Sequence, residues 1–206
     1  MNMTVVGILA ALVLVLNRAG QGQAALIPRP DTLGANFDAN SPGQGTPEDY
    51  DFLVGTWNYR YQARNPTTGA YNPVLTGIWT GSKTHDALMF EDEFVVAGPS
   101  GTRNIVMTYR VFDPVARAWA IQGVGVKRGV WQPGRSWSDG RDRFLVQDNP
   151  ATKIAPDTPE IRTKVRIRYY SISKDHFLWR ADGSIDGGVT WIRDVMLIEA
   201  TRATTR

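Results

Sequence analysis

The chain has 206 residues, with seven Trp, seven Tyr, seven Phe, twenty Gly and twelve Pro. Many large rings and many turn residues in that length describe one all-β domain. A net charge of +3 carries no case for nucleic acid, and the absence of Cys excludes disulfides, thiolate metal sites, a cysteine nucleophile and a lipidated cysteine.

In chain order, the apolar run 5–16, VVGILAALVLVL, is shorter than the roughly 20 residues needed to cross a bilayer and has the length of a signal-peptide core. Small residues at Gly22-Gln23-Ala24 and Gln23-Ala24-Ala25 offer a cleavage site. Residues 1–24 are therefore read as a signal peptide, and the expected location is periplasmic or secreted, with no stable membrane insertion after cleavage. A domain of this size buries enough surface to be exported without disulfide staples. The stretch 25–45, rich in Pro, Gly, Asn and Asp, reads as a flexible extension; 46–202 is the folded domain and 203–206 a tail.

The domain opens at Thr46-Pro47-Glu48-Asp49, where a capping Thr, a Pro suited to a first turn and two acidic residues predict a short helix over Tyr50, Phe52 and Leu53. Alternation with period two follows, between clusters of Gly, Pro, Asn and Asp, and predicts antiparallel strands. Trp57, Tyr59 and Tyr61 share one side of the first; further strands are expected over 74–80, 87–96, 103–112, 118–124, 143–148, 161–171, 176–183 and 189–200. The stretch 125–140, with Trp131 and Trp137, reads as a long irregular loop, either a lid across a barrel mouth or a loop packed on the outside. Asp186-Gly187-Gly188 reads as a hairpin turn, since Asp-Gly supplies the positive φ angles that tight turns need. About nine strands with no helix between them leave a sandwich or a barrel, and the short sequential connections favour one antiparallel barrel of about 8–10 strands.

A barrel of that size has room for one small molecule. Tyr59, Trp79, Tyr109, Trp119 and Trp179, spread over successive strands, are the candidate ligand-binding rings, most of them shared with the core. Arg162, Lys164, Arg166 and Arg168 alternate with Thr163, Val165, Ile167 and Tyr169, placing the cations on one strand face. Two readings stand. The cations form a solvated outer face over Val165 and Ile167, or Arg166 and Arg168 point inward and receive a carboxylate or phosphate, as the planar fork of Arg can. His85 and His176 lie on separate elements, Glu91 and Glu93 read as an exposed acidic face, and neither a nucleophile elbow nor a phosphate-binding glycine loop is present. No catalytic residue, metal site or cofactor is expected.

Asp51-Phe52-Leu53-Val54-Gly55-Thr56-Trp57 resembles the helix-then-GxW opening of calycins, the superfamily of lipocalins and fatty-acid-binding proteins. The strand 165–169, Trp179, the run from Ser184 to Trp191 and Thr201-Arg202 are similar to a lipocalin-like bacterial family of uncharacterised domains, as is Tyr109 to Pro114 through Trp119. The resemblance implies a calycin-type barrel with an interior cavity and no established reaction. It also implies that Trp57 stacks with Arg202 to close one barrel end, a contact worth roughly 0.5–2 kcal/mol. The glycine-rich signature and the His ligand of nitrobindins, related haem-binding barrels, are not matched. The reading is an exported barrel that binds a small hydrophobic or amphipathic ligand, anionic ones included. Its alternatives are an isomerase or cyclase that uses a Tyr or Asp in the cavity, and a ligand-free structural barrel.

Overall fold

A computed structural model describes residues 43–65, 68–97, 103–126, 129–153 and 160–204. The signal-peptide segment and nearly all of the 25–45 extension lie outside the described residues. Within them the protein is all-β, with strands β1 (Gly55–Ala63), β2 (Leu75–Thr84), β3 (Met89–Ala97), β4 (Arg103–Asp113), β5 (Ala118–Gly125), β6 (Val130–Ser138), β7 (Arg143–Asp148), β8 (Thr152–Lys153), β9 (Glu160–Ile161), β10 (Lys164–Tyr170), β11 (His176–Ser184) and β12 (Ile192–Arg202). Ten of them close a barrel in the order β1-β12-β11-β10-β7-β6-β5-β4-β3-β2, every neighbouring pair antiparallel, and β8 and β9 form a separate two-stranded ribbon. Closure pairs every backbone edge, which is why so long a run of strands needs no covering helix.

Three local expectations change. The short helix after Thr46 is one turn of 3-10 helix at Asp51–Leu53; Gly55, at φ 105°, sends the chain directly into β1. The stretch expected as a loop is mostly β6 and is part of the barrel wall. Pro133 stands in register with Gln122 on the outward parity, and the paired Gly134 interrupts nothing. The β11–β12 connection is a wider loop than a two-residue hairpin. Gly187 and Gly188 do take positive φ, at 74° and 99°, but the loop is organised by the Asp186 carboxylate, which accepts from the Thr190 hydroxyl, the Thr190 amide and the Ser184 hydroxyl. Those hydrogen bonds, the Thr190 hydroxyl first, hold the Asp186 carboxyl well below the usual carboxylate range.

One barrel end is closed by rings. Trp57 is fully buried and donates from its indole nitrogen to the Leu53 carbonyl at 3.1 Å. The Arg202 guanidinium lies 4.1 Å from the Trp57 ring centroid and donates to the carbonyls of Val54 and Phe52 at 2.8 and 3.0 Å. The stacked cation thus also satisfies backbone acceptors of the turn beneath it. Tyr50 packs edge-on to Trp119 and Tyr169, and Phe177 edge-on to Trp57. Gly81 must lack a side chain here, since a Cβ would stand 2.6 Å from the Leu53 carbonyl oxygen.

Candidate functional site

The pleat sends alternate residues inward, and the register fixes which. Trp57, Tyr59 and Tyr61 on β1, Trp79 on β2, Phe90 and Phe94 on β3, Trp119 and Ile121 on β5, Ile167 and Tyr169 on β10, and Phe177 and Trp179 on β11 all belong to one buried cluster. Around the closed end this interior is solid. Its charges are neutralised there as well. Arg110, 2% exposed, pairs with Asp92 and lies 4.5 Å over the Tyr50 ring. The other Asp92 oxygen accepts from Trp79 at 2.8 Å, and the Arg110 fork also reaches the Tyr169 hydroxyl at 3.3 Å. Arg143 donates to the Asp49 carbonyl at 2.7 Å and lies 3.2 Å from its carboxylate.

Toward the opposite end the wall formed by β4, β5, β6, β7 and β10 changes character. Its inward residues run Val106 and Thr108, then Gly123 and Gly125, then Gln132 and Gly134, then Gln147, then Val165; register pairs Thr108 with Gly123, Gly123 with Gln132, Gly134 with Gln147, and Gln147 with Val165. Val106, Thr108, Gln132, Gln147 and Val165 are only half-buried although they face the inside. A side chain on the inner face of a closed barrel meets solvent only if that end is open. Gly125 shows the space directly, because a Cβ built on it meets nothing within 4 Å.

Gln147 is placed by the glycines beside it. Its Cγ would be 2.8 Å from a Cβ at Gly134 and its Nε2 2.6 Å from one at Gly123, so the side chain crosses β6 to β5 over a floor that larger residues would fill. Among the described residues its amide makes no hydrogen bond. Gln132 is held, donating to Asn149, which donates in turn to the Thr163 hydroxyl at 2.8 Å. Across the barrel stands Tyr61, on β1, five strands from β6 in either direction. Its ring is 4% exposed and its hydroxyl has no hydrogen-bond partner. The site therefore presents amides, hydroxyls and small apolar surfaces, with no formal charge among the described inward positions of this half.

The rings singled out from sequence divide. Tyr59, Trp79, Trp119 and Trp179 point inward, but Trp119 fills the closed end and the Tyr59 hydroxyl donates to the Val95 carbonyl. Tyr109 stands on the outer face, in register with Glu91 and Gln122 and with its ring 6.4 Å from Trp131, because the inward parity of β4 belongs to Thr108 and Arg110. Arg166 and Arg168 are also on the outer face; Val165, Ile167 and Tyr169 hold the inward positions. Arg166 bonds Asp182 at 2.9 Å under the Trp191 ring, and Arg168 bonds Asp142 at 2.6 Å through Nε. They do not line the interior, so no anionic head group can be received by them there. Asp92 is occupied on both oxygens, and burial pushes the Tyr59 and Tyr61 phenols well above their ordinary range and Tyr169 up to about 12.

No protein-family model and no curated protein matches the chain. Among solved structures it is similar to the S-type phycobiliprotein lyase CPES of Guillardia theta, with 9% identity and a TM-score of 0.52 over 80% of this chain and 96% of that one. At that identity the likeness is one of fold alone.

Proposed function

We propose that the protein is a binding barrel that takes a small hydrophobic or amphipathic molecule into the open half of its interior. The observation that carries this reading is the inward-facing wall of Gly123, Gly125, Gly134, Gln147 and Val165, which is partly solvated inside an otherwise ring-filled barrel. A ten-strand barrel is wider than the eight-strand kind that already holds one small ligand, and apolar walls with a few placed polar groups are the usual make-up of such sites. The likeness to a phycobiliprotein lyase supports the barrel interior as the place to look, without naming a substrate for this chain. We place the protein outside the cytoplasm on the strength of the apolar run 5–16; the mass of the exported protein should correspond to a chain beginning at Ala25, and a full-length product would count against export.

Filling the space tests the reading. Nile red should bind with a rise in fluorescence, and Gly125→Trp, which projects into the room its Cβ finds empty, should weaken that binding at least about tenfold with a melting temperature little changed. Unchanged binding in Gly125→Trp would remove the interior as the site. Native mass spectrometry of protein from its own host should in turn show a retained small molecule.

A further inference from the structure

We infer that the open half of this barrel selects an uncharged molecule whose polar group is of the amide type, taken up by the free Gln147 amide and the unpartnered Tyr61 hydroxyl. The inference rests on the proposed binding role and goes further by assigning the ligand's charge and polar chemistry.

Charge placement carries the first half. The described inward strand cations lie at the closed end with their partners: Arg110 with Asp92, Arg143 with Asp49, and Lys83 with Asp51. Arg202 at the same end is spent on the Trp57 ring and on turn carbonyls. Arg166 and Arg168, the cations of β10, are on the other side of the wall and engaged with Asp182 and Asp142. A carboxylate or phosphate entering beside Gln147 would give up its water and meet no opposite charge among the described inward residues of the wall, which is heavily unfavourable. A neutral molecule meets no such cost.

Hydrogen-bonding capacity carries the second half. An amide side chain offers two donors and an acceptor within a few ångströms, and the Gln147 amide is held over Gly123 with none of them used by a described residue. A ligand carrying both C=O and N–H answers it in both senses, as one amide answers another. The Tyr61 hydroxyl is a second unused donor on the facing wall. A buried hydroxyl without a partner is unfavourable, a deficit that a ligand carbonyl removes. No other inward hydroxyl of the described barrel stands in that condition: Tyr59 bonds Val95, Tyr50 bonds Ser136 and Tyr169 accepts from Arg110.

A matched pair of probes separates charge from shape: 1-naphthylacetamide and 1-naphthylacetate share ring, linker and carbonyl and differ in the charged oxygen. By titration calorimetry on the wild-type protein the amide should bind at least about tenfold more tightly. Gln147→Lys, which puts a cation on the same wall, should bring the two within about threefold or reverse them. Tyr61→Phe should weaken the amide about threefold or more without lowering the melting temperature, whereas a merely structural Tyr61 would leave binding unmoved. Equal or tighter binding of the acetate, or a preference unaltered by Gln147→Lys, overturns the inference, as does failure of both naphthyl compounds in a protein that takes up Nile red. Failure of Nile red itself overturns the binding role beneath it.

Discussion

Asp92→Ala is expected to destabilise the protein by about 3–5 kcal/mol, read as a shift of the urea midpoint, because it strands a guanidinium that is 2% exposed. Arg110 cannot escape to water: it lies between Phe90 and Tyr50, its Nε already has no partner, and the strands on both sides are paired. The double change Asp92→Leu with Arg110→Met should recover most of the loss, since replacing a buried ion pair by apolar side chains of similar size is often neutral or stabilising. Strong coupling in that cycle would show that the pair gives the closed end its specific arrangement rather than its net stability. Additive losses of under about 1 kcal/mol each would show the reverse, a pair reached by solvent. For the site the consequence is direct. The pair consumes the inward charge nearest the open half, Asp92 standing in register with Thr108, so the pocket above it is left with neutral groups.

The barrel was largely legible because its strands announce their parity. Trp57, Tyr59 and Tyr61 alternate with polar neighbours, and Val165, Ile167 and Tyr169 alternate with cations; in both strands the apolar set is the inward one. β7 was harder to orient, since Phe144 and Val146 are apolar on the outer face, where they pack with Trp137, while Gln147 is polar on the inner face. That inversion hid the site. Amides and glycines on an inner wall look, residue by residue, like a solvated edge, and large rings attract the eye toward positions that merely fill the closed end. Tyr109 misled for the same reason: its neighbour Thr108 has the inward parity, and only the pairing of Phe112 with Trp119 reveals it. The signal that would have found the site is the coincidence of Gly123, Gly125 and Gly134 on one parity of two adjacent strands, with Gln132 among them. Glycine on a strand weakens it unless something must come close.

Asp182→Ala is expected to cost about 3–5 kcal/mol as well, although Asp182 lies on the outer face of the wall. Position on an outer face would ordinarily mark a weak ion pair, worth less than about 1 kcal/mol. Asp182 departs from that because it is 2% exposed and accepts three hydrogen bonds, from Arg166 at 2.9 Å, from Arg180 at 3.0 Å and from the Asp194 amide at 2.9 Å. Losing it leaves Arg180, itself 3% exposed, paired with Asp194 at 2.6 Å, and removes the side chain that holds the start of β12 at its left-handed residue Asp194, φ 55°. Asp148→Ala is the matched comparison. Its pairing with Lys164 spans 3.1 Å between side chains 57% and 34% exposed, and its removal should shift stability by less than about 1 kcal/mol. The contrast in urea midpoints decides whether burial or mere charge pairing governs this face. Equal small shifts for the two variants would mean that water reaches the Asp182 network; a large shift confined to Asp182→Ala would show that the cations of β10 and β11 serve to bind the wall together, which leaves recognition to the uncharged groups inside it.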